Sequence, residues 1–216
     1  MKYDLVIFDM DGTVLDSLTD LAAAMNRALR ESGLPERSRE DLKNALGKGA
    51  RWFADHAAPE DAAPQQKEEV YQRFIRFYDG NNAVHTAPYP GIPELLRELR
   101  AAGVKTAVVS NKMDPAARAL SERHFGPLMD IAVGERKGVR RKPAPDAVLE
   151  VLKELDTAPE RAVYVGDSEV DVETGRNAGM DVISVTWGYR DKAVLEAAGG
   201  TCFAADAAEL KKQLGF

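Results

Sequence analysis

Short apolar runs alternate with helix-period stretches along most of this chain. Residues 5–8, 105–109, 130–133, 162–165 and 181–185 are rich in Val, Ile and Ala and lack polar alternation. That is the pattern of strands buried on both faces. Residues 201–204 predict a weaker sixth strand. Between these runs, residues 92–102 place Leu95, Leu96 and Leu99 on one helical face and stop at Gly103. Residues 115–123 and 145–155 each open on a proline, with Asp114 the expected N-cap of the first, and residues 171–178 end at Gly179. Strand–helix alternation of this kind predicts an α/β fold with a doubly wound parallel sheet.

One stretch departs from the alternation. Residues 18–82 show helical patterns and no strand. Ser17-Leu18-Thr19-Asp20 reads as a capping box ahead of Leu21, Ala22, Met25 and Leu29 at helical spacing. Ser38-Arg39-Glu40-Asp41 repeats the signal and opens a short helix ending at Gly47. Pro64 opens a third, with Val70, Phe74, Phe77 and Tyr78 as its apolar stripe. The expected organisation is a core domain of residues 1–15 and 83–216, with a small helical cap inserted as residues 16–82. Hinges are expected at Asp16 and around residues 81–89.

Composition narrows the partners. With a formal net charge of -6 the chain repels nucleic acid and anionic lipid, so neither is expected. A single cysteine, Cys202, excludes an intramolecular disulfide and a thiolate metal cluster. No secretory leader and no membrane-length apolar run is read, so a cytoplasmic protein is expected, as a monomer or homodimer.

Candidate chemistry gathers where the predicted strands end, the place where open parallel sheets bind ligands. Asp9 and Asp11 follow the first strand in Asp9-Met10-Asp11-Gly12-Thr13. Two carboxylates two residues apart point to one side and are costly to hold together without a cation or a shared proton. Ser110, Asn111 and Lys112 follow the second strand, Lys142 comes after the third, and Gly166-Asp167-Ser168-Glu169-Val170-Asp171 follows the fourth. This set suits phosphoryl transfer to a carboxylate. Asp9 is the expected nucleophile, and Asp11 the expected acid and then base. Asp9 and Asp167 are expected to ligate Mg²⁺, and Ser110 and Lys142 to hold phosphoryl oxygens, with Gly12 and Asn111 beside them. Ser168 to Asp171 also reads as a capping box, which leaves Asp171 either a helix cap or a site residue.

These motifs closely resemble the four of the haloacid dehalogenase superfamily: Asp9 to Thr13, Ser110, Lys142, and Gly166 to Asp171. The resemblance covers the whole chain. It implies a cap that closes over a Mg²⁺-dependent phosphatase site, with the Asp11 main-chain carbonyl as a further metal ligand. Asp171 and Thr13 are then implied to support the ligands from behind. Ser110-Asn111-Lys112, Thr186-Trp187-Gly188-Tyr189 and Leu46-Gly47-Lys48-Gly49-Ala50 are most similar to phosphoglycolate phosphatases. That similarity implies a small phosphorylated metabolite, best 2-phosphoglycolate, as substrate. It also implies that the cap loop faces the site, with Lys48 and Arg51 placed to contact a carboxylate or second phosphate. A β-phosphoglucomutase-like mutase, a phosphatase for another small organophosphate or pyrophosphate, and a phospho-receiver module are the alternatives. Thr13 favours the phosphatase over the mutase, and the early acidic pair with its insertion disfavours the receiver.

Overall fold

Val6 and Phe8 belong to one hydrophobic cluster and Leu5 and Ile7 to another, so the first strand is covered on both faces. This alternation organises the core. In the computed structural model, which describes residues 2–81 and 83–215, six strands form one parallel sheet. In chain order they are β1 (Leu5–Phe8), β4 (Lys105–Met113), β5 (Ile131–Glu135), β6 (Ala162–Gly166), β7 (Asp181–Val185) and β8 (Phe203–Ala204), with spatial order β5-β4-β1-β6-β7-β8. One face packs α5 (Ile92–Ala101), α6 (Asp114–Phe125) and α10 (Ala207–Gln213) through Leu96, Leu120 and Leu210. The other packs α7 (Asp146–Glu154) through Val148 and Val151, and Lys192 of the short α9 (Lys192–Ala197) lies over the Phe203 ring of β8. Strand order reverses at β1, whose two neighbours are β4 and β6, so the crevice opens beyond the carboxyl ends of these three strands.

The inserted segment builds its own core. Helices α1 (Leu18–Glu31), α2 (Arg39–Asn44), α3 (Ala50–Ala57) and α4 (Pro64–Asn81) bury Met25, Leu42, Phe53 and Phe74 together. Tyr189, from the sheet side, joins that cluster. A two-stranded antiparallel ladder that the hydrophobic pattern does not signal, β2 (Leu15–Asp16) with β3 (Ala87–Pro88), ties the ends of the insertion together. At two residues each, these strands are too short for any periodicity to register. The far edge of the expected insertion, Asn82, lies outside the described residues.

Several local expectations are corrected. Ser17 does not cap α1; its hydroxyl donates to Asp11, and Asp20 instead accepts from the His85 and Thr86 backbones and the Thr86 hydroxyl. Asp114 lies inside α6, and its carboxylate accepts from the Gly134 N–H on the neighbouring strand. The helix expected to run to Gly47 stops at Asn44, and α3 begins at Ala50 after two glycines with positive φ, Gly47 and Gly49. Ser38 caps α2 through the Asp41 N–H, as its spacing predicts. No helix among the described residues is long and apolar enough to cross a membrane.

Candidate active site

Each strand that ends at the crevice delivers a charged or hydroxylic side chain to it. Asp9 leaves β1 with its N–H bonded to the Val165 carbonyl at 2.8 Å, which fixes it beside the end of β6. Asp167 follows β6 and Ser110 lies near the end of β4. Helix α8 (Glu169–Asn177) begins two residues after Asp167 and carries Asp171 in its first turn. Carboxylate oxygens of Asp9, Asp167 and Asp171 all lie within 4.8 Å of one another, and all three residues are buried.

The Lys142 ammonium sits among them, 2.9 Å from Asp9 Oδ1, 2.8 Å from Asp171 Oδ1 and 2.9 Å from the Tyr164 hydroxyl. Burial alone pulls a lysine pKa down, but the Asp171 and Asp9 carboxylates outweigh it and hold Lys142 firmly protonated. Asp171 serves both readings left open by the sequence. Its Oδ2 accepts from the Ser168 N–H and hydroxyl, closing the capping box, while its Oδ1 fixes Lys142. Asp11, partly exposed at the cavity, accepts from the Ser17 hydroxyl on one oxygen and lies 3.0 Å from the Lys112 ammonium on the other.

Four carboxylates (Asp9, Asp11, Asp167, Asp171) therefore face two ammoniums (Lys112, Lys142), leaving two negative charges unbalanced. The pKa values record that excess. Burial, with Asp171 and Asp11 nearby and only Lys142 opposing, raises Asp9 from 3.8 to about 6. Burial, together with the Asp171 and Asp9 charges, raises Asp167 well above its usual value. An all-oxygen donor set with a surplus of two negative charges fits a hard divalent cation such as Mg²⁺. Of the three carboxylates, Asp171 has both oxygens engaged, one by Lys142 and the other by Ser168.

Asp167 is held from two sides. Thr13 donates to Oδ1 at 3.0 Å and the Tyr189 N–H to Oδ2 at 2.7 Å. Glycine is required at both walls of this slot. A Cβ on Gly12, whose φ is 85°, would lie 2.3 Å from Asp167 Oδ2, and one on Gly188 would lie 2.3 Å from Asp167 Cβ. The segment 187–190 then runs on to the cap. Trp187 Nε1 donates to the Thr13 carbonyl, and the Tyr189 hydroxyl meets Ser17. The Arg190 guanidinium donates to the carbonyls of Lys43, Asn44 and Leu46 and to the Glu169 carboxylate. Lys43 and Asn44 close α2 and Leu46 follows it, so Arg190 grips the carbonyl end of that helix and the loop behind it.

Between core and cap lies a cavity with about 70 Å³ of space open to the centre of a water molecule. At roughly 10–15 Å³ per water, that holds on the order of five waters or one compact substrate. Asp9, Asp11, Ser110 and Asp167 line its core side, and Leu21, Phe53, Phe74 and Tyr78 its cap side.

Not every predicted site residue arrives there. Asn111 lines the cavity, but its side chain is engaged: it donates to the Gly47 and Lys142 carbonyls and accepts from the Lys142 N–H. It fixes the Lys142 backbone and the cap loop. Arg51 is turned away on α3, paired with Asp55 and Glu68. Lys48 pairs with Glu169 at 3.5 Å, stacks over Trp52 and lines a separate, open cleft. Sequence reasoning gave Ser17 only a capping role and attached no site role to Lys112, Tyr164 or Tyr189. The last three are distant in the chain from the groups they touch, and only the position of Lys112 directly after Ser110-Asn111 was a usable signal.

With this geometry in hand, comparison with known proteins is specific. Residues 6–185 match the family model of haloacid dehalogenase-like hydrolases. A phosphoglycolate phosphatase of Aquifex aeolicus is 34% identical over 186 residues, covering 86% of this chain and 85% of that protein. An N-acetylmuramic acid 6-phosphate phosphatase of Pseudomonas aeruginosa is 32% identical, covering 88% and 84%. A crystal structure from Lactobacillus delbrueckii subsp. bulgaricus, provisionally assigned as a phosphoglycolate phosphatase, superposes with a TM-score of 0.94 at 37% identity over 99% of both chains. The chain belongs to the haloacid dehalogenase-like hydrolases, and among them it is similar to phosphoglycolate phosphatases and to an N-acetylmuramic acid 6-phosphate phosphatase.

Proposed function

We propose that this enzyme hydrolyses a small phosphomonoester through an aspartyl-phosphate on Asp9, with 2-phosphoglycolate as the favoured substrate. The observation that carries the chemistry is the buried carboxylate cluster with two unbalanced negative charges beside the Ser110 hydroxyl and the Lys142 ammonium. Asp9, Asp167 and the Asp11 main-chain carbonyl would hold Mg²⁺. Bound there, the cation neutralises the phosphoryl oxygens and allows a carboxylate to approach them.

The rest falls to the chain's own groups. Asp9 attacks phosphorus as the ester oxygen leaves, and the new bond is a mixed anhydride. Lys142 and Ser110 grip the equatorial oxygens as charge shifts onto them. Asp11 gives its proton to the departing alkoxide, then takes one from the water that cleaves the anhydride and frees phosphate. Asp171 keeps Lys142 charged and aimed, and Thr13 with the Tyr189 N–H keeps Asp167 oriented. The apolar cap wall excludes bulk water from the intermediate.

The substrate reading rests on the small cavity and on the phosphoglycolate phosphatases among the relatives. Phosphate release from 2-phosphoglycolate, N-acetylmuramic acid 6-phosphate, glucose 1-phosphate and pyrophosphate, with Mg²⁺ and with chelator, tests it. A preference for 2-phosphoglycolate that vanishes on chelation supports the reading. Faster release from the amino sugar phosphate, or conversion of glucose 1-phosphate to its isomer, overturns the substrate assignment. Unchanged release in chelator overturns the metal site.

A further inference from the structure

A two-carbon acid phosphate presents two anionic ends, and the site described so far receives only one. Arg51 and Lys48, the cap cations expected from sequence to meet the second, are committed elsewhere and do not line the cavity. Arg190 does line it, but its guanidinium is already spent on Glu169 and three cap carbonyls. Lys112 is different. It lines the cavity, its side chain is 4% exposed, and it lies two residues along β4 from Ser110. Two residues of extended chain span roughly 6.5 Å. That step carries the site from the phosphate-gripping hydroxyl to the far end of a short substrate.

We infer that Lys112 and Tyr78 together bind the second anionic group of the substrate and so select carboxylate-bearing phosphomonoesters. The inference rests on the phosphatase reading above. Lys112 Nζ has three N–H donors and, among the described residues, two acceptors: Asp11 Oδ2 at 3.0 Å and the Tyr78 hydroxyl at 2.7 Å. One donor is left for a ligand. The Tyr78 oxygen accepts from the ammonium, which leaves its own O–H free to donate. Burial pushes the Tyr78 phenol up to about 12, so that proton is retained at neutral pH. An ammonium N–H and a phenol O–H converging at one wall are matched to the two oxygens of a carboxylate.

Asp11 keeps a partner while the ammonium is shared, because Ser17 still donates to its other oxygen. Tyr78 belongs to α4 of the cap and Lys112 to β4 of the core, so the pair exists only where the two surfaces meet. A carboxylate seated there is read by both at once, whereas a neutral ester arm leaves a buried ammonium with nothing new to bind.

The test compares 2-phosphoglycolate with ethyl phosphate, which has the same chain length and no carboxylate. kcat and KM are measured for wild type, Lys112→Met and Tyr78→Phe. Wild type is expected to favour 2-phosphoglycolate in kcat/KM. Lys112→Met loses about 10- to 100-fold on that substrate, chiefly through KM, and much less on ethyl phosphate. Tyr78→Phe, which leaves the Lys112–Asp11 ion pair in place, loses about 3- to 10-fold with the same selectivity. Equal losses on both esters, carried by kcat, overturn the inference, because Lys112 then serves only to position Asp11. Calorimetric binding of 2-phosphoglycolate to Asp9→Asn, with and without Lys112→Met, separates the two readings. Wild type that hydrolyses neither ester refutes the substrate assignment proposed above. In that case binding weakened by Lys112→Met still supports the anion site, and undiminished binding overturns it.

Discussion

Replacing Asp9 with Asn is expected to make the metal-free protein more stable while abolishing turnover. In the native chain Asp9 is 7% exposed and its carboxyl is raised from 3.8 to about 6. That is a rise of roughly two pKa units, and each unit is worth about 1.4 kcal/mol, so the ionised group costs the metal-free fold up to about 3 kcal/mol at neutral pH. The Lys142 attraction is already included in that net shift, and after substitution Lys142 keeps Asp171 at 2.8 Å. Allowing for lost solvation and imperfect replacement, a gain of about 1–3 kcal/mol is expected. At about 2–4 °C per kcal/mol for a chain of this size, Tm in chelator should rise by about 2–12 °C.

The pH dependence has a definite sign. The unfolded carboxyl loses its proton near 3.8, while the folded one keeps it to about 6. The Asp9 contribution to native stability therefore falls as pH rises through that window and levels off above it. The variant's advantage should be nearly absent at pH 4, open between pH 4 and 6, and be full at pH 7.5. Saturating Mg²⁺ should raise the wild-type Tm more than the variant's and close the gap. Scanning calorimetry at pH 4.0, 5.0, 6.0 and 7.5, with chelator and with Mg²⁺, measures all of this. A variant that melts below wild type in chelator at pH 7.5, or a gap equal at pH 4.0 and 7.5, would refute the charge reasoning.

Lys142→Met leaves Asp9 and Asp171 facing each other without their shared cation. Urea denaturation should show a loss of about 3–5 kcal/mol, and a loss under 1 kcal/mol would mean the ion pairs contribute little. Gly12→Ala forces a side chain against Asp167 at a φ of 85°, so both stability and Mg²⁺ affinity should fall. Titration followed by Tm would expose the error if both were unchanged. Arg190→Ala removes the donors that hold the C-terminal carbonyls of α2. Faster proteolytic nicking around residues 43–49, with a raised KM, is expected, and nicking at the wild-type rate would show that Arg190 does not secure the cap. Asp171→Asn should retain the capping box but weaken the hold on Lys142, lowering kcat more than stability in paired activity and melting measurements.

The hydrophobic pattern by itself determined the parallel sheet. Five strands were legible because burial on both faces leaves an unbroken apolar run, and three cap helices because a 3.6-residue period does not fit that run, whereas α3 was not read. It also determined which strand ends carry Asp9, Asp11, Ser110, Lys142 and Asp167, since each follows its run within a few residues or in a short spaced motif. The resemblance to a known family, confirmed by the family match, supplied the roles proposed for those residues.

Tertiary structure decided the pairings. Ser17 precedes a helix and reads as its cap, yet a carboxylate six residues earlier in the chain is the stronger acceptor and takes its hydroxyl. Asn111 reads as a phosphate ligand, but the Lys142 backbone, 31 residues away, claims its amide. Arg51 reads as a site cation until α3 directs it towards Glu68 on α4. Lys112 drew no role, yet folding brings its ammonium to the cavity wall between the Tyr78 hydroxyl and the Asp11 carboxylate. Sequence fixes a residue's type and the strand or helix that carries it. Which partner a polar group satisfies depends on every other group within about 3 Å once the chain has folded, and local spacing holds no record of that competition.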